Sequence, residues 1–208
     1  RYSLTFEALP WLEAAFRYSR IDRETIHSDL YDRSLSFKIR LADEGIYRPS
    51  IAVGVQDMLG TGAFGAEYLV ASKRIGDVDT TLGIGWRRFG GIAHFENPLA
   101  EIFPSFKTIN NNFGEGGTPS LNSYFHGKGV GLFGGFVWHT PIRNLALIAE
   151  ASGDQYTTQQ KTGAINVRMP FNFGFTYEPW DGMQIGGGYF YGSEFGLKVT
   201  FHLNVYEE

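Results

Sequence analysis

The stretch Ile165-Asn-Val-Arg-Met-Pro-Phe-Asn-Phe-Gly-Phe-Thr-Tyr-Glu178 decides the fold class. Ile165, Val167, Met169, Phe171, Phe173, Phe175 and Tyr177 share one parity, and Asn166, Arg168, Asn172, Thr176 and Glu178 share the other. Successive side chains of an extended strand point to opposite sides of its sheet, so this alternation makes a ribbon with one apolar and one polar face. The last segment repeats it: Phe195, Leu197, Val199, Phe201, Leu203 and Val205 oppose Gly196, Lys198, Thr200, His202 and Asn204. Leu35, Phe37, Ile39 and Leu41 oppose Ser36, Lys38 and Arg40 in the same way.

Weaker versions of the pattern run over Tyr2–Ala8, Leu12–Ser19, Ser50–Asp57, Ala66–Lys73, Val78–Arg87, Val130–His139, Asn144–Ser152 and Met183–Tyr191, which predicts about eleven strands. Their connections alternate in length. Leu9-Pro10, Asp43–Arg48, Gly76-Asp77, Thr140–Arg143 and Pro179–Gly182 are short, with Pro, Gly or Asp supplying turn geometry. Arg20–Arg33, Met58–Gly65, Gly90–Lys128 and Gly153–Thr162 are long and polar, and a shorter Gly192–Glu194 closes the series. Short turns at one end and long loops at the other are the asymmetry of outer-membrane barrels, whose strands need about ten tilted residues to cross a bilayer.

Such barrels close with an even number of strands. Eleven is one short, so the expectation is a twelfth strand, upstream of Arg1 or from another part of a longer chain. The expected architecture is all-β: one antiparallel up-and-down transmembrane β-barrel domain over residues 1–208, with a surface or plug loop at 90–128. The competing fold is a water-soluble sandwich or barrel with the apolar face inward. Aromatic placement favours the membrane, since Tyr2, Trp11, Tyr18, Trp86, Trp138, Tyr177, Trp180, Tyr189 and Tyr191 gather near strand ends, as interfacial girdles do.

Composition agrees with this reading. Hydrophobic residues reach 43% while mean hydropathy is −0.18, so apolar residues are dispersed through polar ones, and no window offers the ~18 apolar residues of a transmembrane helix. The absence of cysteine excludes disulfides and thiolate metal sites. A net charge of −4 gives no basic surplus for nucleic acid.

Asp57-Met-Leu-Gly-Thr-Gly-Ala-Phe-Gly-Ala-Glu-Tyr-Leu-Val-Ala-Ser-Lys73 followed by Thr81-Leu-Gly-Ile-Gly-Trp86 resembles the YjbH/GfcD family of outer-membrane proteins encoded with exopolysaccharide and capsule export systems. Arg1-Tyr-Ser-Leu-Thr-Phe6, Leu9-Pro-Trp-Leu12, Ser36–Leu41 and Ala52–Asp57 resemble it as well, and Asp181–Asn204 fits more loosely. The resemblance implies a role in exporting or anchoring a polysaccharide rather than a defined reaction. Members are similar to longer lipoproteins, of which this chain would be the amino-terminal barrel.

Candidate sites follow. Gly60-Thr-Gly-Ala-Phe-Gly65 satisfies the dinucleotide pattern literally, but Glu67–Lys73 alternates as a strand where the pattern needs a helix, so the glycines read as a tight surface loop. The histidines His27, His94, His126, His139 and His202 lack metal-site spacing, and neither metal nor cofactor is expected. A lipid hydrolase would need His139, Glu150 and Ser152 to converge near strand ends. The expected lumen lining is Arg17, Lys38, Arg40, Gln56, Glu67, Lys73, Arg87, Glu150, Asn166, Arg168, Asn172 and Lys198, with acids and bases pairing across a narrow, occluded interior. Phe95, Phe103, Phe106, Phe113, Tyr124 and Phe125 give the long loop aromatic surface to fold into the mouth as a plug or to stack on sugar rings.

The expected function is a non-enzymatic component of an exopolysaccharide or capsule export or assembly system in the bacterial outer membrane. Its expected partners are lipopolysaccharide and phospholipid, a polysaccharide, and periplasmic or outer-membrane export proteins, with no nucleic acid. The alternatives are a small-solute channel and an outer-membrane lipid hydrolase.

Overall fold

The computed structural model describes residues 2–21, 30–58, 65–92, 95–108, 124–154, 156, 160 and 165–201. The strands are β1 (Tyr2–Leu9), β2 (Leu12–Ile21), β3 (Leu30–Ala42), β4 (Ser50–Gln56), β5 (Ala66–Ile75), β6 (Val78–Arg87), β7 (Phe95–Glu96), β8 (Gly129–His139), β9 (Leu145–Ala151), β10 (Phe171–Trp180), β11 (Met183–Phe190) and β12 (Glu194–Phe201). Apart from the two-residue β7, which lies on β8, they form one antiparallel meander in chain order. The class is all-β, and eleven long strands match the alternation read from the sequence. The expected closure is absent among the described residues: β1 and β12 are the edges of an open sheet.

Register fixes the two faces. Leu4 stands opposite Phe16, Phe16 opposite Leu35, and Ile39 opposite Val53, Val53 opposite Leu69, Leu69 opposite Ile84 and Ile84 opposite Leu132. Further round, Trp138 faces Leu147, Leu147 faces Phe175, and Ile185 faces Val199. This continuous apolar face is uncovered over most of its extent; Leu82 is 65% exposed, Phe173 50% and Leu197 76%. Total accessible surface is 14101 Å², against about 9,700 Å² for a folded soluble monomer of this mass. Phe106, Tyr124 and Val130 are the only large apolar side chains buried among the described residues, all at one end of the sheet.

Turn chemistry sets the two ends. Gly76 (φ 60°) and Gly182 (φ 85°) take the left-handed conformation that lets two residues reverse the chain between β5 and β6 and between β10 and β11. The two-residue turns and the β3–β4 and β8–β9 connections lie at this end, with Trp138, Tyr177 and Trp180 of the apolar face close by; the long connections share the opposite, loop end with the short Tyr191–Ser193 link between β11 and β12. The strand that ends at Trp180 is shorter than its alternation predicts. β10 begins at Phe171, because Pro170 has no N–H to donate to a ladder, and the N–H groups of Arg168 and Met169 instead donate to Tyr191 O.

Candidate functional site

The face opposite the apolar one is polar, and the register puts Arg17, Lys38, Arg40, Gln56, Glu150, Asn172 and Lys198 on it. Glu67 and Lys73 are corrections. Glu67 pairs with Val55 and Trp86, and Lys73 with Thr80, so both lie in line with Leu69 and Ala71. β5 is apolar at both parities in its middle (Leu69, Val70, Ala71), so alternation could not fix its phase. Asn166 and Arg168 precede β10 and belong to no strand.

The polar-face charges pair sideways, with neighbouring strands. Lys38 Nζ donates to Glu13 Oε2 at 3.1 Å directly opposite it, and His139 Nε2 lies 2.6 Å from Asp79 Oδ2. At the turn end Lys73 reaches Glu44 Oε1 (2.9 Å) and Gly45 O (2.6 Å). The bond from Lys73, reinforced by the N–H of Arg74, holds the Glu44 carboxyl below its ordinary pKa. The expected pairing across a narrow lumen has no counterpart among the described residues of the open sheet.

At the loop end a buried cluster fastens the long connection to the wall. Glu67, 2% exposed, accepts from Trp86 Nε1 and from the N–H of Phe125 (2.9 Å). Arg87 stands 4.5 Å above the Tyr124 ring, and the Tyr124 hydroxyl donates to Asp57 O. Burial pushes the Tyr124 phenol up, against the pull of Arg87. Asp57, Arg87 and Phe125 all have φ near +60°, conformations that L-residues hold only where surrounding contacts impose them. Phe106 packs edge-on to Trp86 at 5.8 Å, so this part of the loop covers the side of the sheet to which Glu67 and Trp86 point. Of the loop aromatics, Phe106 and Tyr124 are buried here, Phe95, Phe103 and Phe125 are exposed, and Phe113 lies outside the described residues, as does most of Gly60–Gly65.

The polar face also carries a cavity of about 540 Å³, which alternation did not reveal. Its floor is aromatic: Phe89 and Phe133 lie 5.1 Å apart, and each meets Tyr68 edge-on, at 5.9 and 6.1 Å. One wall is a continuous chain of hydrogen bonds. Asn172 Nδ2 donates to Glu150 Oε1 (2.7 Å), Tyr191 N to Asn172 Oδ1 (2.8 Å), and the Tyr191 hydroxyl to that of Tyr156 (2.8 Å), whose N–H donates to Asp154 Oδ1 (2.8 Å). Arg88 pairs with Asp154 and lies 4.7 Å over the Tyr156 ring. Burial and the Tyr156 contact push the Tyr191 phenol well above its ordinary value. Tyr191, expected in an outer girdle, therefore faces this cavity.

Ser152, Glu150 and His139 do not converge. His139 stands opposite Ala146 at the turn end and Ser152 follows Ala151 at the loop end, about 20 Å along the strand, and Ser152 Oγ accepts instead from Asp154 N (3.2 Å). The chain enters β5 as a strand at Ala66, so no helix follows Gly65 to face a pyrophosphate.

No solved structure matches the chain. An uncharacterized lipoprotein of Escherichia coli (strain K12), YjbH, is 34% identical over 211 aligned positions, covering 98% of this chain but 30% of that protein's length. The profile of the YjbH family, described as an exopolysaccharide biosynthesis protein family, matches residues 1–208, and the chain belongs to that family.

Proposed function

We propose that this chain forms an outer-membrane β-barrel wall in a non-enzymatic component of an exopolysaccharide or capsule export or assembly system. The observation that carries the membrane reading is the uncovered apolar face. A soluble sheet of this size would bury that face against a second layer; here, among the described residues, the one local cover lies at the loop end. A ten-residue strand such as β6 is about 33 Å long, and tilted by about 40° it spans about 25 Å, the height of an outer-membrane barrel's apolar band. Glu67 then lies at the loop end under its own cover, and Lys73 at the opposite boundary, where a long stem can carry its ammonium out of hydrocarbon.

In lipid, unpaired edge N–H and C=O groups cost several kcal/mol each, so the edges of β1 and β12 must be covered. Both strands run from the loop end to the turn end and so cannot pair antiparallel with each other. An odd number of further strands, one at the least, stands between them in the closed barrel. Membership of an exopolysaccharide biosynthesis family supports the export role, and the partners proposed with it are lipopolysaccharide, phospholipid and periplasmic or outer-membrane export proteins.

The test combines localisation with secretion. The full-length protein should fractionate with the outer membrane, require detergent to stay monomeric, and on deletion abolish surface polysaccharide. Folding as a monomer in plain buffer would overturn the membrane assignment, and unchanged secretion the export role. A large stable conductance of the isolated protein would favour the small-solute channel instead.

A further inference from the structure

The cavity on the polar face is set apart by the company its aromatic rings keep. Phe89 and Phe133 sit on the side of the sheet that carries hydroxyls, amides and carboxylates, where a merely solvated wall needs no rings. They are held flat against the strands, because Gly83 stands directly opposite Phe133 and a Cβ there would run into the ring, while one at Gly85 would meet Phe89 at 2.7 Å. Around this floor stand acceptors and hydroxyls: Asp79, Thr81, Glu150 and Tyr156. Among the described residues that line the cavity none is Lys or Arg. Its volume lies within the range of small-ligand sites. Gln56 borders both this cavity and a neighbouring one of about 390 Å³ that contains Tyr68, so the lining continues along the wall.

We propose that this cavity binds an uncharged pyranose oligosaccharide, with sugar C–H faces stacked on Phe89 and Phe133 and sugar hydroxyls donating to Glu150 and Asp79. A ring face is electronegative and apolar, which suits the axial C–H groups of a pyranose. Carboxylates accept from hydroxyls in strong charge-assisted bonds. Asp154 is paired with Arg88, and Asp79 lies against His139 and Arg74, so the charge that repels uronates and other anionic sugars is that of Glu150, whose hydrogen-bond partner Asn172 is neutral. The choice of a glycan rests on the export reading; the preference for an uncharged one comes from the cavity.

The experiment measures binding of maltohexaose, cellohexaose and hexagalacturonate to the full-length protein in detergent micelles, by saturation-transfer NMR and calorimetry. At least one neutral hexasaccharide should bind and hexagalacturonate should not. Phe133→Leu, which keeps apolar bulk and removes the ring face, should weaken binding about tenfold. Should that variant fail to fold, Val137→Trp fills the cavity without removing any described side-chain hydrogen bond, and should abolish binding. Failure of both neutral probes to bind, unchanged affinity in the variant, or tighter binding of hexagalacturonate overturns the proposal. A protein that fractionates with the outer membrane and supports secretion yet binds neither neutral probe would leave the export reading standing and remove this one.

Discussion

Leu82→Arg separates a lipid-facing wall from a water-facing one by the size of a single number. Leu82 is the fifth of the ten residues of β6, lies opposite Ala71 and Gly134, and is 65% exposed. With half the strand on either side, it falls at the middle of a band about 25 Å high, about 12 Å from either boundary. If water touches that face, the substitution adds a charge to a surface and changes stability by no more than about 0.5 kcal/mol. If hydrocarbon touches it, arginine at the midplane costs about 2–4 kcal/mol, roughly a thirty- to nine-hundred-fold change in the folding equilibrium. The assay is urea unfolding in phosphatidylcholine vesicles followed by tryptophan fluorescence, with Thr176→Arg, on the polar parity of β10, as the control expected to cost less than 1 kcal/mol. A penalty under about 0.5 kcal/mol for Leu82→Arg, or equal penalties for the two variants, would refute the assignment of the faces.

Glu67→Leu removes the acceptor of both Trp86 Nε1–H and Phe125 N–H and should lower stability by about 2–4 kcal/mol, read as a shift of the urea midpoint. Glu44 is held below the ordinary carboxylate range, so its contribution is fully present above the unfolded-state value near pH 4.3 and is lost as pH falls through the lowered folded value. Glu44→Gln should therefore unfold more readily than the parent at pH 7 and match it once pH has fallen below the folded value, as a pH series of denaturant midpoints would reveal. Gly83→Ala should displace the Phe133 ring, cost about 1–3 kcal/mol and alter the near-ultraviolet circular dichroism of the aromatic cluster.

The strands are legible because each is a ribbon with one apolar and one polar face, and such a ribbon must alternate. Val78–Arg87 was read to the residue, and the alternation of short and long connections gave the two ends. Alternation stops carrying information at three places. Ile165–Met169 keeps the right parity but ends at Pro170, which leaves the ladder, and its N–H groups find Tyr191 instead. β5 has apolar residues on both sides and shows its phase only through its partners. The loop-end cluster joins Asp57, Glu67, Arg87 and Tyr124 across long spans of chain, and nothing local to any of them announces the meeting.

The cavity had a signal in the sequence, but one that becomes visible only with the register in hand. Tyr68 and Phe133 interrupt the polar parity of β5 and β8, and each faces a glycine on the preceding strand of the sheet, Gly54 and Gly83. A ring opposite any larger residue would have to stand up into the interior, whereas a ring opposite glycine can lie down on the neighbouring backbone and leave one face open. On the apolar side the same device recurs with Phe175 over Gly187. Part of the chain's glycine content is thus a consequence of its aromatic content: the wall is thin where rings must lie flat. On the polar side that thinness lays an open ring surface among hydroxyls, amides and carboxylates.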